Sequence, residues 1–158
     1  MGYLVFLGCR SGAALAILAM TFVLEGCASP AKDRVERLAG AQQSFGAYSQ
    51  GVVSQGFLFT AGTSPRDAAT GRLLPGDMTV QTGKVLDNLE VTLRQGGASL
   101  SDVLKLTVYV VDLGDFEAID TVMAGRFGTH RPSRSIVQVA ALRGGARIYV
   151  DAIAKVNH

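Results

Sequence analysis

The sequence predicts a single α+β domain in which two helices cover one face of a mixed β-sheet. Segments that alternate apolar and polar residues, as strands do, are interleaved with two segments whose apolar residues recur every three or four positions, as in helices. Glycine is abundant, with 19 residues, which is typical of a chain with many tight turns. The resulting order is β-β-α-β-α-β-β, and helices on one side of such a sheet make an α+β domain.

The N-terminal part of this domain is predicted to be a pair of short strands and a loop. The strands span 50–54 and 56–60, and the turn between them lies near Gln55 and Gly56. The segment 65–77 contains Pro, Gly and Asp at several positions, so it is predicted as a loop.

Both helices have a recognisable start and one apolar face. Asp77 is placed to cap a helix from Met78, which Gly96–Gly97 ends, and Asp115 is placed to cap the second helix. The buried faces are predicted to be Thr82, Leu86, Leu89 and Leu93 in the first helix and Phe116, Ile119, Met123 and Phe127 in the second.

Three strands complete the sheet, at 103–111, 134–141 and 147–154. The turn between the last two contains Gly144–Gly145, which is a hairpin signal. In the first of the three, alternation places two sets of side chains on opposite faces: Leu104, Leu106, Val108 and Val110 on one, and Lys105, Thr107 and Tyr109 on the other.

Composition and charge exclude several classes of protein. Hydrophobic residues make up 48% of the chain and charged residues 18%, which is typical of a packed domain and not of a disordered chain. The formal net charge is only +2 and there is no basic run, so we expect no nucleic-acid partner.

The first residues are typical of an export signal. Arg10 precedes an apolar run at 13–24, and the quartet Leu24–Cys27 resembles a bacterial lipobox, in which Cys27 would be lipidated, although Glu25 departs from the usual small or neutral residue. We therefore expect a signal peptide at 1–26, a tether at 27–40, a domain at 41–158, and a lipoprotein anchored in a membrane and facing the periplasm or cell surface. A plain membrane anchor and a misassigned start codon, with Met20 as the true start of a cytoplasmic protein, are the alternatives.

Cysteine and histidine are too scarce for several kinds of chemistry. Cys9 and Cys27, the only cysteines, both precede the domain, so we expect no disulfide and no thiol nucleophile within it. His130 and His158 are far apart in sequence, and we interpret them as ordinary loop and chain-end residues. We expect no metal site.

Several segments in the same order resemble the Rid/YjgF family of reactive intermediate deaminases. They are Phe45–Gln50, Thr60–Gly62, Gln81–Thr82, Asp87–Leu89, Pro132–Ala140 and Ile148–Ala154. The resemblance implies a chorismate-mutase-like fold, a homotrimer with ligand clefts between subunits, and no cofactor. A trimer also agrees with the pattern of the sheet, whose second face would otherwise stay exposed.

The resemblance assigns a role to four residues of a ligand cleft. Arg134 would bind the carboxylate of a 2-imino acid, a task for which the planar guanidinium fork is suited. Tyr48 would line the cleft from a neighbouring subunit, with Ala47 in place of the family proline. Gly62 would let the backbone approach the ligand, and Ile136, where many members have cysteine, would offer only its backbone.

Position 149 is the largest departure from the family. The deaminases of the archetypal subgroup have a glutamate there that orients the hydrolytic water, whereas this chain has Tyr149. A tyrosine hydroxyl can orient water but is a poor general base at neutral pH because its pKa is near 10. Asp151, two residues along the same strand face, is a candidate substitute, or else a carboxylate that is solvated or paired with Arg147.

Two functions follow from these residues. The first is hydrolysis of 2-imino or enamino acids to 2-keto acids and ammonia, with Arg134 and Tyr149 as the catalytic residues and with weak activity because of Tyr149. The alternative is non-catalytic binding of small carboxylic acids in the cleft between subunits. A ribonuclease, a third activity attached to parts of the family, is not favoured because the chain offers no cluster of histidine or acidic residues for it.

Overall fold

The computed structural model describes residues 35–40 and 46–156, which form a six-stranded mixed sheet with two helices packed against one face. The sheet order is β1-β2-β3-β6-β4-β5, and among these described strands only the β4–β5 pair is parallel. The elements are β1 (Glu36–Leu38), β2 (Gly51–Ser54), β3 (Phe57–Thr60), α1 (Met78–Gln95), β4 (Val103–Val110), α2 (Phe116–Phe127), β5 (Ser133–Gln138) and β6 (Ile148–Lys155). The predicted α+β class and the β-β-α-β-α-β-β order are confirmed, with one more strand at the beginning.

The core lies between the helices and the sheet. The four residues predicted for the buried face of α1 are all buried, and on α2 Ile119, Met123 and Phe127 are buried. Each fully buried leucine or isoleucine stabilises the fold by about 1.5–3 kcal/mol relative to an exposed one. At the start of α1, Asp77 Oδ1 accepts a hydrogen bond of 2.9 Å from the N–H of Val80, so the predicted cap is confirmed.

The β2–β3 turn also forms where it was predicted. Gln55 and Gly56 both have positive φ, 50° and 78°. Two such residues in succession make the turn whose twist matches the flanking strands of a tight hairpin.

Two predictions about the helix and strand faces were wrong at single residues. Phe116 is 44% exposed, because at the first position of α2 it lies at the margin of the core. Leu104 is exposed and Val103 is buried instead, because a β-bulge between Val103 and Lys105 shifts the alternation by one residue. The predicted cap of α2 was wrong as well. The Asp115 side chain makes no capping hydrogen bond and pairs with Arg147 instead, with Oδ2 at 2.7 Å from Nη2.

The predicted hairpin between the last two strands was also wrong. Gly144 and Gly145 do have positive φ, 68° and 75°, and turn the chain between the two strands. However, β4 lies between β5 and β6 and pairs with both of them. The glycines therefore form a link that passes over one strand, and β5 is left at the edge of the sheet.

Strand β1 lies within the segment 27–40 that we expected to be a tether. It pairs antiparallel with β2, and Leu38 is buried in the hydrophobic core. The predicted signal peptide, Cys27 and His158 lie outside the described residues. None of the helices in the described part of the chain has the length and hydropathy needed to cross a membrane.

Candidate functional site

The register of the sheet separates the predicted site residues onto its two faces. Arg134 and Ile136 lie opposite Leu106 and Val108, which are buried on the face covered by the helices. Tyr149 lies opposite Tyr109 on the other face, called the open face below, which no helix of the described residues covers. The side chains on the open face include Phe57, Phe59, Tyr109, Val137, Tyr149 and Ile153.

Arg134 projects from the edge strand onto α2, where three side chains hold its guanidinium group. Nη2 donates to Asp120 Oδ1 at 2.6 Å, and Nη1 donates to Met123 Sδ at 3.5 Å. Cζ lies 5.8 Å from the centre of the Phe116 ring, within range of a cation–π interaction. These contacts leave the remaining N–H groups of Arg134, including Nε–H, without an acceptor among the described residues.

The Arg134 side chain is only 25% exposed, although the residue as a whole is exposed because its backbone lies at the sheet edge. It borders an open cavity of about 360 Å³ between α2 and β5, which is a size suited to a small metabolite. Other residues that line this cavity are Asp120, Met123, Phe127, His130 and Arg131. Here His130 Nε2 lies 2.7 Å from the carbonyl oxygen of Val103, to which it donates.

Gly62 lies close beside the ring of Tyr149. A Cβ atom at position 62 would lie 3.2 Å from Tyr149 Cδ2, so the absence of a side chain makes room for the ring. The Tyr149 hydroxyl donates to the carbonyl oxygen of Arg143 at 3.2 Å. The ring therefore occupies the space left by the missing side chain at Gly62, and its hydroxyl is held by the turn that precedes β6.

Asp151 is not paired with Arg147, whose partner is Asp115. Instead its carboxylate lies beside the hydroxyl of Tyr109 on the open face, and this interaction, together with burial, raises the pKa of Tyr109 above its ordinary value of about 10. Asp151 is therefore a partner of a neutral tyrosine and not a member of the Arg134 cluster.

Tyr48 lies far from both groups. It is exposed and lies three residues before the first residue of β2, whereas Arg134 is on β5, which is four strand spacings or about 19 Å from β2 across the sheet. Arg134 and Tyr149 are separated by two strand spacings and three residues of register, about 14 Å, and lie on opposite faces. One chain thus brings Arg134 together with Ile136, and Gly62 with Tyr149, but does not join these pairs to each other or to Tyr48.

Sequence reasoning missed the residues of α2 that hold Arg134. Phe116, Asp120 and Met123 are spaced four and three residues apart, which places them on one side of the helix. That spacing can be read from the sequence, but the sequence does not show that β5, which carries Arg134, faces this side of α2. Among the described residues, no group of three or more His, Cys, Asp or Glu side chains is arranged to hold a metal ion.

Asn88 secures the loop that follows Gly62. Its buried amide nitrogen Nδ2 donates to the carbonyl oxygens of Ser64 at 2.9 Å and Arg66 at 2.8 Å. A bridge between Thr63 and Val150 fixes the same loop to β6. The backbone beside Tyr149 is therefore held from both the helix and the sheet.

Comparison with known proteins places the fold and most of the chain in one group. The family model described as endoribonuclease L-PSP matches residues 39–156. A RutC family protein of Pyrococcus horikoshii is 41% identical over 114 residues, 72% of this chain and 90% of that protein. A 2-iminobutanoate/2-iminopropanoate deaminase of Capra hircus is 34% identical over 121 residues, 77% of this chain and 88% of that protein. The crystal structure of E. coli TdcF with bound serine has a TM-score of 0.72 and 33% identity, and the match covers 79% of this chain and 100% of TdcF.

Proposed function

Because the chain belongs to the endoribonuclease L-PSP family, which includes the RidA, RutC and YjgF proteins, we propose that it hydrolyses 2-imino or 2-enamino acids to 2-keto acids and ammonia. The observation that carries this proposal is the guanidinium of Arg134, which borders the cavity of about 360 Å³ with N–H groups that have no acceptor in the described part of the chain. A planar fork of this kind suits a planar carboxylate.

The chemistry requires little more than positioning. Arg134 fixes the carboxylate and thereby the plane of the C=N bond next to it. Protonation of the nitrogen makes C2 electrophilic, and a water molecule adds to it. The C2–N bond of the resulting carbinolamine then breaks, so that ammonia leaves and a 2-keto acid remains.

We propose that the complete cleft is formed between subunits of a homotrimer. Within one chain Arg134 lies about 14 Å from Tyr149, which is too far for both to contact one small substrate. A neighbouring subunit that presents Tyr48, Gly62 and Tyr149 to the Arg134 edge would supply the missing side. Tyr149 would then help to hold the water through its hydroxyl, as a weak substitute for a carboxylate.

The activity is tested by measuring the ammonia that residues 28–158 release from freshly generated 2-iminobutanoate. Arg134→Ala and Arg134→Lys are the variants to compare with the wild type. Binding of 2-ketobutyrate should weaken about 10- to 150-fold in Arg134→Ala, because a charge-assisted pair contributes about 1.5–3 kcal/mol. Lysine should restore only part of this loss because it lacks the fork.

Arg94→Ala is the matched control, since Arg94 makes an exposed ion pair with Glu90 on α1, away from the cavity. Unchanged ligand binding in Arg134→Ala would refute the site. Binding of the keto acid without acceleration of imine hydrolysis would favour the alternative, a carboxylic-acid binding protein.

A further inference from the structure

Asp120 places a second charge beside the carboxylate-binding arginine. Its Oδ1 is 2.6 Å from Arg134 Nη2, and its Oδ2 has no hydrogen-bond partner among the described residues. The side chain is 49% exposed and lines the same cavity as Arg134. A ligand held by the free N–H groups of Arg134 therefore lies within reach of an unpaired carboxylate oxygen.

This pair changes which ligands the cavity favours. Arg134 alone would attract any small anion, but the Arg134–Asp120 pair has no net charge. A plain carboxylate gains one charge-assisted interaction with the arginine and is repelled by Asp120. A ligand that has a positive nitrogen next to its carboxylate can satisfy both, because the nitrogen is an N–H donor to Oδ2.

The geometry points to Asp120 as the residue that selects zwitterionic ligands, namely 2-iminio and 2-amino carboxylates, over 2-keto acids. The inference rests on the proposed function, since it takes Arg134 as the carboxylate site. An iminium nitrogen hydrogen-bonded to Asp120 is stabilised in its protonated form, which is the form that water attacks at C2. Hydrolysis then replaces the cation by a neutral carbonyl, so the product loses its contact with Asp120 and is released.

The two ligands that test this inference differ only at C2. 2-Aminobutyrate is a zwitterion at neutral pH, and 2-ketobutyrate is an anion of the same carbon skeleton. Calorimetry with both ligands gives the ratio of their dissociation constants for wild-type residues 28–158 and for the Asp120→Asn variant of the same protein. Asparagine retains an oxygen acceptor for Arg134 Nη2, so the variant removes the charge with little change in shape.

We expect the wild type to favour 2-aminobutyrate, and Asp120→Asn to shift the ratio toward 2-ketobutyrate by about 5- to 30-fold, a range reduced for the exposure of Asp120. Product inhibition of imine hydrolysis by 2-ketobutyrate should become stronger in the same variant. Asp87→Asn is the control, because Asp87 also pairs with an arginine, Arg126, at 2.7 Å but on the α1 surface.

The outcomes separate this inference from the proposed function. If Arg134→Ala abolishes binding of both ligands while Asp120→Asn leaves their ratio unchanged, the function stands and the role of Asp120 is refuted. If the wild type already prefers 2-ketobutyrate, the role of Asp120 is refuted as well. If neither ligand binds the wild type, both proposals are refuted.

Discussion

Gly62 and Tyr149 fit together as a pair: a Cβ atom at position 62 would lie 3.2 Å from Cδ2 of the tyrosine ring, which is closer than the separation of about 3.5–4.0 Å at which carbon atoms attract best. The backbone at position 62 lies outside the left-handed region, so the ring and not the backbone conformation favours glycine. Position 149, where the resemblance implies a glutamate in the archetypal deaminases, is therefore packed beside Gly62.

Gly62→Ala should lower the free energy of unfolding by about 1–2 kcal/mol, because the ring has to shift while its hydroxyl is held by Arg143. In a Tyr149→Glu background the same substitution should cost less by at least about 0.5 kcal/mol, because a glutamate side chain can turn aside. Urea unfolding of the four proteins measures this coupling. Gly83→Ala, in the interior of α1 with nothing near its added Cβ, is the control and should stabilise by about 0.5–1 kcal/mol. Equal costs in both backgrounds would show that the ring is not what limits position 62.

Tyr149→Glu should raise the rate of 2-iminobutanoate hydrolysis, because a carboxylate is a better acceptor for the proton of the attacking water than a neutral phenol. The dissociation constant for 2-ketobutyrate should change little, because Arg134 holds the ligand. Steady-state ammonia release and calorimetry separate the two effects. If the substitution adds nothing to the rate, Tyr149 does not limit catalysis.

The free energy of unfolding should decline at high pH because of Tyr109. The neighbouring carboxylate of Asp151 and burial raise the pKa of Tyr109 above the ordinary value of about 10 in the folded protein. The stabilisation is therefore complete below about pH 10 and is lost as the pH rises through the folded pKa. Tyr109→Phe should flatten this loss, as measured by urea unfolding between pH 8 and 11, and Asp151→Asn should lower the titration midpoint seen by phenolate absorbance. An unchanged titration in Asp151→Asn would contradict the assignment.

The open face should be the surface through which subunits associate. It carries large exposed apolar side chains on β3 and β5, among them Phe59 and Val137. Light scattering of residues 28–158 should give about three times the monomer mass, and Val137→Asp should reduce it. Val80→Asp is a matched control, because Val80 is 45% exposed against 44% for Val137 but lies at the start of α1. A strict monomer at micromolar concentration would refute the proposed trimer.

If Cys27 is the lipidated residue of a lipobox, Cys27→Ser should block lipid attachment and leave the leader uncleaved by the lipoprotein peptidase, because the thiol that would receive the lipid is missing. Radiolabelled palmitate and membrane fractionation report the change in a bacterial host. Cys9→Ser is the control, since Cys9 lies inside the expected signal peptide. A Cys27→Ser protein that matures and fractionates like the wild type would exclude the lipobox.

The sequence predicted most of the secondary structure because alternation and helical spacing are local properties. Leu104 escaped the prediction because a bulge changes the alternation without changing composition. The pairing of β5 with β4 was not predicted, because adjacent glycines indicate that the chain reverses but not which strand it then pairs with. Arg134 was identified from its neighbours in the sequence, whereas its contact with Asp120, 14 residues earlier, depends on how α2 is laid across the sheet.

Strand β1 sets the length of chain between Cys27 and the folded domain. Because Glu36 already belongs to the sheet, nine peptide units and not the whole of the expected tether separate it from Cys27. Even fully extended they span only about 30 Å. If Cys27 carries the lipid, the domain is restricted to a layer close to the headgroups. In a trimer, three such short connecting segments would fix which end of the assembly points toward the bilayer. Substrates would then reach the clefts from a thin zone at the membrane surface. Lengthening the segment between Cys27 and β1 would be a direct way to alter the orientation of the trimer relative to the bilayer.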